Sequence, residues 1–220
     1  HEIRSIIGPN GAGKSSMLNC INGVYTPSEG SITFHGQTFS HMNSRQVAEM
    51  GVARTFQNLA LFNGMSVLDN ILLGRHIHMK PSVGRTALYW WLARSDETLN
   101  RAAVEDVIDF LQLEGVRDEL VDGIPIGLKK RVELARALAA EPSFLILDEP
   151  MAGMNQEEKE YMARFILDAR DERNVTVLLI EHHMDVITGI CDRMLALNYG
   201  EMIGSGVPAD VVAEIGRAHV

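Results

Sequence analysis

Long apolar runs, cysteines and an excess of positive charge are all scarce in this 220-residue chain. No apolar stretch approaches the roughly 18–20 residues that cross a bilayer. The most suggestive one, Ala87-Leu-Tyr-Trp-Trp-Leu-Ala93, is far too short. No secretory signal is visible either, so any work at a membrane is done from its side. The two cysteines, Cys20 and Cys191, lie far apart and match no metal or redox spacing. That suits reduced thiols in a reducing cytoplasm. Lys and Arg number 20 against 29 Asp and Glu, a formal charge of −9. Phosphate backbones are gripped by basic patches, so this balance argues against nucleic acid as the main partner. No internal repeat, low-complexity tract or sustained heptad pattern appears. What remains, 46% apolar and 22% charged, is ordinary for a globular chain long enough to bury a large core.

Residues 8–16, Gly-Pro-Asn-Gly-Ala-Gly-Lys-Ser-Ser, are the most informative segment present. They fit the phosphate-binding pattern G-x-x-x-x-G-K-[ST], with Gly8, Gly13, Lys14 and Ser15 in the fixed places. The glycines let backbone N–H groups of Asn10, Gly11, Ala12 and their neighbours turn inward around phosphate oxygens, where a Cβ would clash. A helix starting near Gly13 adds the unpaired N–H groups of its first turn, through Ser16, and a positive dipole end. Lys14 can reach the β- and γ-phosphates, and the Ser15 hydroxyl can ligate Mg²⁺. An apolar strand with Ile3, Ile6 and Ile7 precedes the loop and Ser16-Met-Leu-Asn-Cys-Ile continues a helix after it, the order this motif requires. The segment predicts binding of a nucleoside triphosphate.

Apolar, β-branched runs alternate with helical patterns along the chain, which points to an α/β core with a largely parallel sheet. The expected strands are Ile3–Ile7, Ser31–Phe34, Val52–Phe56, Phe144–Leu147, Val175–Ile180, Met194–Asn198 and Glu201–Gly204. Between Asn58 and Gly123 helical runs dominate, notably Val67–Gly74, Glu97–Leu113 and a stretch with Trp90 and Trp91. The expected layout is a core of residues 1–57 and 139–213 with a helical subdomain at 58–138. The ends look cut. The chain opens on His1 rather than Met, seven residues before the loop. Its last seven residues, Glu214–Val220, leave the preceding pattern and back-translate to a common sequencing-adapter sequence. A non-native tail at 214–220 is the expectation.

Phe144-Leu-Ile-Leu-Asp148-Glu149 is a buried-strand pattern ending in two acids. Beside a phosphate loop this is the Walker B arrangement, with Asp148 holding Mg²⁺ and Glu149 placed to orient or deprotonate the attacking water. Gln57 follows the expected strand Val52–Phe56, and His182 follows the strand ending at Ile180 and Glu181. Either alone reads as a polar cap or a structural residue.

In this order and near these spacings, the phosphate loop, Gln57, Asp148-Glu149 and His182 resemble the ATP-binding cassette family. The resemblance covers nearly all of residues 1–213. Arg131-Val-Glu-Leu-Ala-Arg-Ala-Leu138 matches the helix that follows the family's signature, which puts that signature at Ile124-Pro-Ile-Gly-Leu128. Only Gly127 keeps the usual Leu-Ser-Gly-Gly-Gln form, and the missing Ser hydroxyl weakens that clamp. The resemblance implies a P-loop ATPase core with an inserted helical subdomain, using ATP and Mg²⁺. It implies Ser15, Gln57 and Asp148 around the metal, and Glu149, Gln57 and His182 in catalysis. It further implies a head-to-tail dimer of two such subunits. Ile124, Gly127 and Leu128 of one would close on the nucleotide of the other. The helical subdomain would contact integral membrane permease subunits at the cytoplasmic face of a bacterial inner membrane. The basic run after Gly127 and Glu149-Pro-Met-Ala-Gly-Met-Asn155 resemble the branch that energises uptake of branched-chain and other hydrophobic amino acids. A chromosome- or ribosome-associated ATPase, or an importer of another solute, is the alternative. Ile126 stands where an aromatic is usual, and His183 where an Asp is usual and a solvated substitution is expected. The family's adenine-stacking aromatic, from a strand upstream of the loop, has no counterpart here, and a sheet edge is expected to be exposed.

Overall fold

The computed structural model describes residues 1–55, 59–78 and 90–218, with side chains except those of 90–97 and 215–218. Gln57, the end of the strand expected at Val52–Phe56, the side chains of Trp90 and Trp91, and residues 219–220 lie outside what is described. The chain runs β1 (Ile3–Ile7), α1 (Lys14–Ile21), β2 (Ile32–Phe34), β3 (Gln37–Phe39), α2 (Ser44–Glu49) and β4 (Val52–Arg54). It continues through α3 (Val67–Leu72), a 3₁₀ turn at Leu73–His78, α4 (Trp90–Phe110) and α5 (Ile126–Ala139). It closes with β5 (Phe144–Asp148), α6 (Gln156–Glu172), β6 (Thr176–Ile180), α7 (Met184–Ile190), β7 (Arg193–Asn198), β8 (Glu201–Gly206) and α8 (Pro208–Ala218).

The sheet order is β4-β5-β6-β1-β7-β8. All neighbours pair in parallel except β7 with β8. The expected α/β architecture with a mostly parallel sheet is what the chain adopts. Central parallel strands bury both faces, so their sequences are continuously apolar and alternate between two cores rather than between core and water. Ile3, Leu145, Leu147, Val177 and Leu179 face one core. Ile6, Ile146, Leu178 and Ile180 face the other, with Leu18 of α1 and Val47 of α2.

Within the described part of residues 59–139 there are helices and turns but no named strand. This segment does not form a core of its own. Val67 and Ile71 of α3, Ile108 and Leu111 of α4 and Leu134 of α5 join the same cluster as Leu145, Leu147 and Phe165. Close approach is helped by Gly74, where a Cβ would run into the Arg136 carbonyl oxygen. Arg75 then spans the junction, donating to Asn100 Oδ1 at 3.0 Å and to the Ala139 carbonyl at 2.9 Å.

Two small elements were not anticipated. β3 pairs antiparallel with β2 around His35-Gly36, both at positive φ (48° and 76°). Three-residue strands carry too little alternation to register in sequence, although a His-Gly pair at positive φ suits a tight hairpin. α2 is announced by a capping box in which Asn43 Oδ1 accepts from the Gln46 N–H at 2.9 Å and Gln46 Oε1 from the Asn43 N–H at 3.1 Å. At the far end, α8 runs without a break past Ala213 into Glu214 and on to Ala218.

Candidate active site

The C-terminal ends of β1, β5 and β6 meet along one edge of the sheet, the usual place for a ligand in an open α/β fold. β1 delivers the phosphate loop there. Gly11 and Gly13 take φ of 83° and 97°, values that penalise any Cβ. At Gly8 a Cβ would collide with the Leu197 carbonyl oxygen of β7. The turn after β7 braces the loop from outside, with the Gly200 N–H donating to the Ala12 carbonyl at 2.9 Å. Ala12 is buried, whereas Asn10, Gly11, Ser15 and Ser16 are exposed along the loop. α1 starts at Lys14 with no side-chain cap and no acid in its first turn. Its free end therefore suits an anion. Lys14, 8% exposed, folds over the loop and donates to the Gly8 and Pro9 carbonyls at 2.7 and 3.0 Å.

β5 brings Asp148 and Glu149 to the same edge. Asp148 is buried and forms an ion pair with Arg54, the last residue of β4, at 2.9 Å. Arg54 also donates to Asn19 Oδ1 of α1 at 2.7 Å, which ties three elements around the acid. Glu149 has a left-handed backbone, φ 50°, although it is not glycine. Such a residue stores of order 1–3 kcal/mol of strain and persists only where its surroundings hold it. They do: the Glu149 N–H donates to the Ile180 carbonyl at 2.9 Å. The next N–H, of Met151, donates to Glu181 Oε1 at 2.9 Å. Beyond β6, His182 places Nε2 3.2 Å from Glu149 Oε1. Glu149 and His182, 33 residues apart, are thus brought into contact.

The segment Ile124–Leu128 leads into α5 (Ile126–Ala139). Ile124 is buried in the larger core, and the half-buried Leu128 packs against that core. α5 begins at Ile126, behind Pro125, with no side-chain cap. Gly127 lies in this first turn, under the Glu158 carboxylate of α6. Ile126 is the exposed apolar side chain of the segment. A half-open cavity of about 430 Å³ lies beside it, lined by Gln112, Gly127, Arg131, Glu157, Glu158 and Tyr161 among others. Burial pushes the Arg131 guanidinium below its usual range, partly offset by Glu158.

Several site residues carried no sequence signal of their own. Glu181 is 1% exposed, and besides Met151 it accepts the His182 N–H at 3.0 Å and His183 Nδ1 at 2.8 Å. A lone Glu at a strand end reads as a cap. The His183 side chain is 42% exposed, as a solvated position requires, and it also bridges Glu181 and Lys159, whose Nζ lies 2.8 Å from His183 Nε2. Glu133 and Arg136 of α5 grip the backbone of Ala60 from both sides, at its N–H and its carbonyl. Burial pushes the Glu133 carboxyl up, offset in part first by the Lys130 charge, and pushes the Arg136 guanidinium down, offset in part by Glu133. Among the described residues no cluster of three or more His, Cys, Asp or Glu could hold a metal by itself. No described helix is long and apolar enough to cross a membrane.

The profile of a family described as ABC transporter matches residues 1–152. The chain is 36% identical over 212 residues to the high-affinity branched-chain amino acid transport ATP-binding protein LivG of Salmonella typhimurium, covering 96% of this chain and 82% of the relative. It is 34% identical over 213 residues to the corresponding protein BraF of Pseudomonas aeruginosa, with the same coverage. Among solved structures, cbiO1 of Clostridium perfringens, part of the ABC transporter complex cbiONQ, superposes with a TM-score of 0.81 at 27% identity. That match covers 99% of this chain and 82% of the other.

Proposed function

The chain belongs to the ABC transporter family, and from that premise we propose that it is the ATP-hydrolysing subunit of an importer for branched-chain amino acids. One observation of geometry carries the hydrolytic part: Glu149 and His182 touch at the strand ends that also deliver the phosphate loop. Relatives named for branched-chain amino acid transport support the solute.

Each residue has a task in this reading. Glycines 8, 11 and 13 and the uncapped start of α1 cradle the phosphates, and Lys14 exchanges its loop carbonyls for phosphate oxygens. The exposed Ser15 hydroxyl and the buried Asp148 carboxylate fit a Mg²⁺ site of the kind this loop uses, with Gln57, outside the described residues, as a further ligand. Bound there, Mg²⁺ supplies positive charge to the β- and γ-phosphate oxygens. Glu149 accepts the proton of the attacking water. His182 holds that carboxylate by one nitrogen and the γ-phosphate region by its position. Most of the barrier lowering comes from such placed charge and hydrogen bonds rather than covalent chemistry.

The site is completed by a second cassette subunit, whose signature helix presents the first-turn N–H groups behind Pro125. Residues 58–138 form the helical subdomain that meets integral membrane permease subunits, at the cytoplasmic face of a bacterial inner membrane. The grip of Glu133 and Arg136 on Ala60 joins the segment after Gln57 to the signature helix. Capture of the full-length protein from its native membranes tests this reading. It should recover polytopic membrane subunits and an ATPase stimulated by a branched-chain amino acid with its binding protein. Recovery of ribosomes or DNA instead overturns it.

A further inference from the structure

We infer that Lys159 and His183 are positioning residues for hydrolysis, acting through the buried Glu181 to hold Glu149 and His182 together. The inference rests on the roles proposed above for Glu149 and His182. It begins with the strained backbone of Glu149, which needs external constraint. The end of β6 and the residue after it supply that constraint, through the Ile180 carbonyl to the Glu149 N–H and through Glu181 Oε1 to the Met151 N–H. The other oxygen of Glu181 holds the His182 N–H. One carboxylate therefore fixes the peptides flanking both partners of the 3.2 Å Glu149–His182 contact.

A buried carboxylate is useful as a clamp only while it is charged and pointed correctly. Its orientation comes from His183 at 2.8 Å, and that of His183 from Lys159 at 2.8 Å. The donor order is forced. An ammonium can only donate, so His183 Nε2 must accept from Lys159, and Nδ1 must then carry the proton that it donates to Glu181. Lys159 thus sets the tautomer of His183 and lends its charge to Glu181 through the ring. Lys159 lies in the first turns of α6, just beyond the loop that leads from Glu149. The chain Lys159–His183–Glu181 consequently ties α6 to the segment carrying His182, and a shift of α6 loosens the catalytic pair.

The test is steady-state ATP hydrolysis by the full-length protein assembled with its partner subunits, with separate measurement of ATP affinity. Lys159→Met and His183→Ala should each lower kcat about tenfold and leave ATP affinity within about twofold. His183→Asn, whose amide keeps a donor toward Glu181, should recover most of the loss. The double variant should be no slower than the worse single one, because both act on one carboxylate. If His183→Ala does not fold, Lys159→Met against Lys159→Arg provides the same contrast. Unchanged kcat, multiplicative losses, or a His183→Asn no better than His183→Ala overturns the inference. Glu149→Gln in the same assay separates the two levels. If Glu149→Gln retains full turnover, the underlying reading fails. If it is inactive while the Lys159 and His183 variants are normal, only this inference fails.

Discussion

Replacing Arg54 by Met would leave Asp148 as a buried carboxylate without its ion-pair partner. Both side chains are 7% exposed and the contact is 2.9 Å. Methionine has a similar reach and fills much of the space, so the change is mainly electrostatic. Breaking one side of a buried pair costs roughly 3–5 kcal/mol, because the remaining charge keeps its desolvation penalty. Arg54 also bonds Asn19, which puts the loss of its guanidinium at no less than the lower figure. For a chain of this size each kcal/mol moves the midpoint by about 2–4 °C, so a cost of about 3 kcal/mol lowers Tm by roughly 6–12 °C. Thermal unfolding followed by near-ultraviolet circular dichroism, without nucleotide, reads this directly. A cycle with Asp148→Asn isolates the pair: the double variant should be more stable than the sum of the single losses predicts, by about 1–3 kcal/mol. A Tm for Arg54→Met within about 1 °C of the parent, or losses that simply add, would refute the assignment of the pair as a clamp on Asp148.

Two further outcomes follow from the same geometry. Gly8→Ala drives a Cβ into the Leu197 carbonyl, a backbone atom that cannot swing aside. A fluorescent ATP analogue should bind roughly tenfold more weakly or worse, about 1.4 kcal/mol, and binding equal to the parent contradicts the role of that close approach. Burial raises the Cys191 thiol to about 11, so roughly one molecule in a thousand carries the thiolate at pH 8. An aromatic disulfide reagent should therefore meet one fast thiol, Cys20, in the folded protein and a second only after denaturation; two fast thiols would contradict the burial.

The sequence was most readable where chemistry demands local spacing. The phosphate loop is written in nine consecutive residues, and both the acid-tipped strand Phe144–Asp148 and the helix after Pro125 follow from short runs. Contacts between distant segments were not readable. Arg54 and Asp148 are 94 positions apart, and nothing in either neighbourhood names the other. Glu181 carried no signal of its own in the sequence, yet it accepts from three donors in two loops. The bonds of His183 were hidden for the same reason, since its partner Lys159 lies 24 residues upstream on α6. Ile124 shows the converse: its place in a binding motif was legible, but that its side chain belongs to the core became apparent only once α3, α4 and α5 were seen sharing one cluster with the sheet.

The central claim is that Glu149, held by His182 and Glu181 at the edge of the phosphate loop, is the base for ATP hydrolysis. Its most direct test is Glu149→Gln in the full-length protein, with hydrolysis and oligomeric state measured on the same sample. Removing a positioned base costs about 10²–10⁴-fold in rate. The variant should bind ATP with undiminished affinity, turn over at least about a hundredfold more slowly and accumulate as an ATP-bound dimer. Hydrolysis at the parental rate, with no such dimer, would contradict the account.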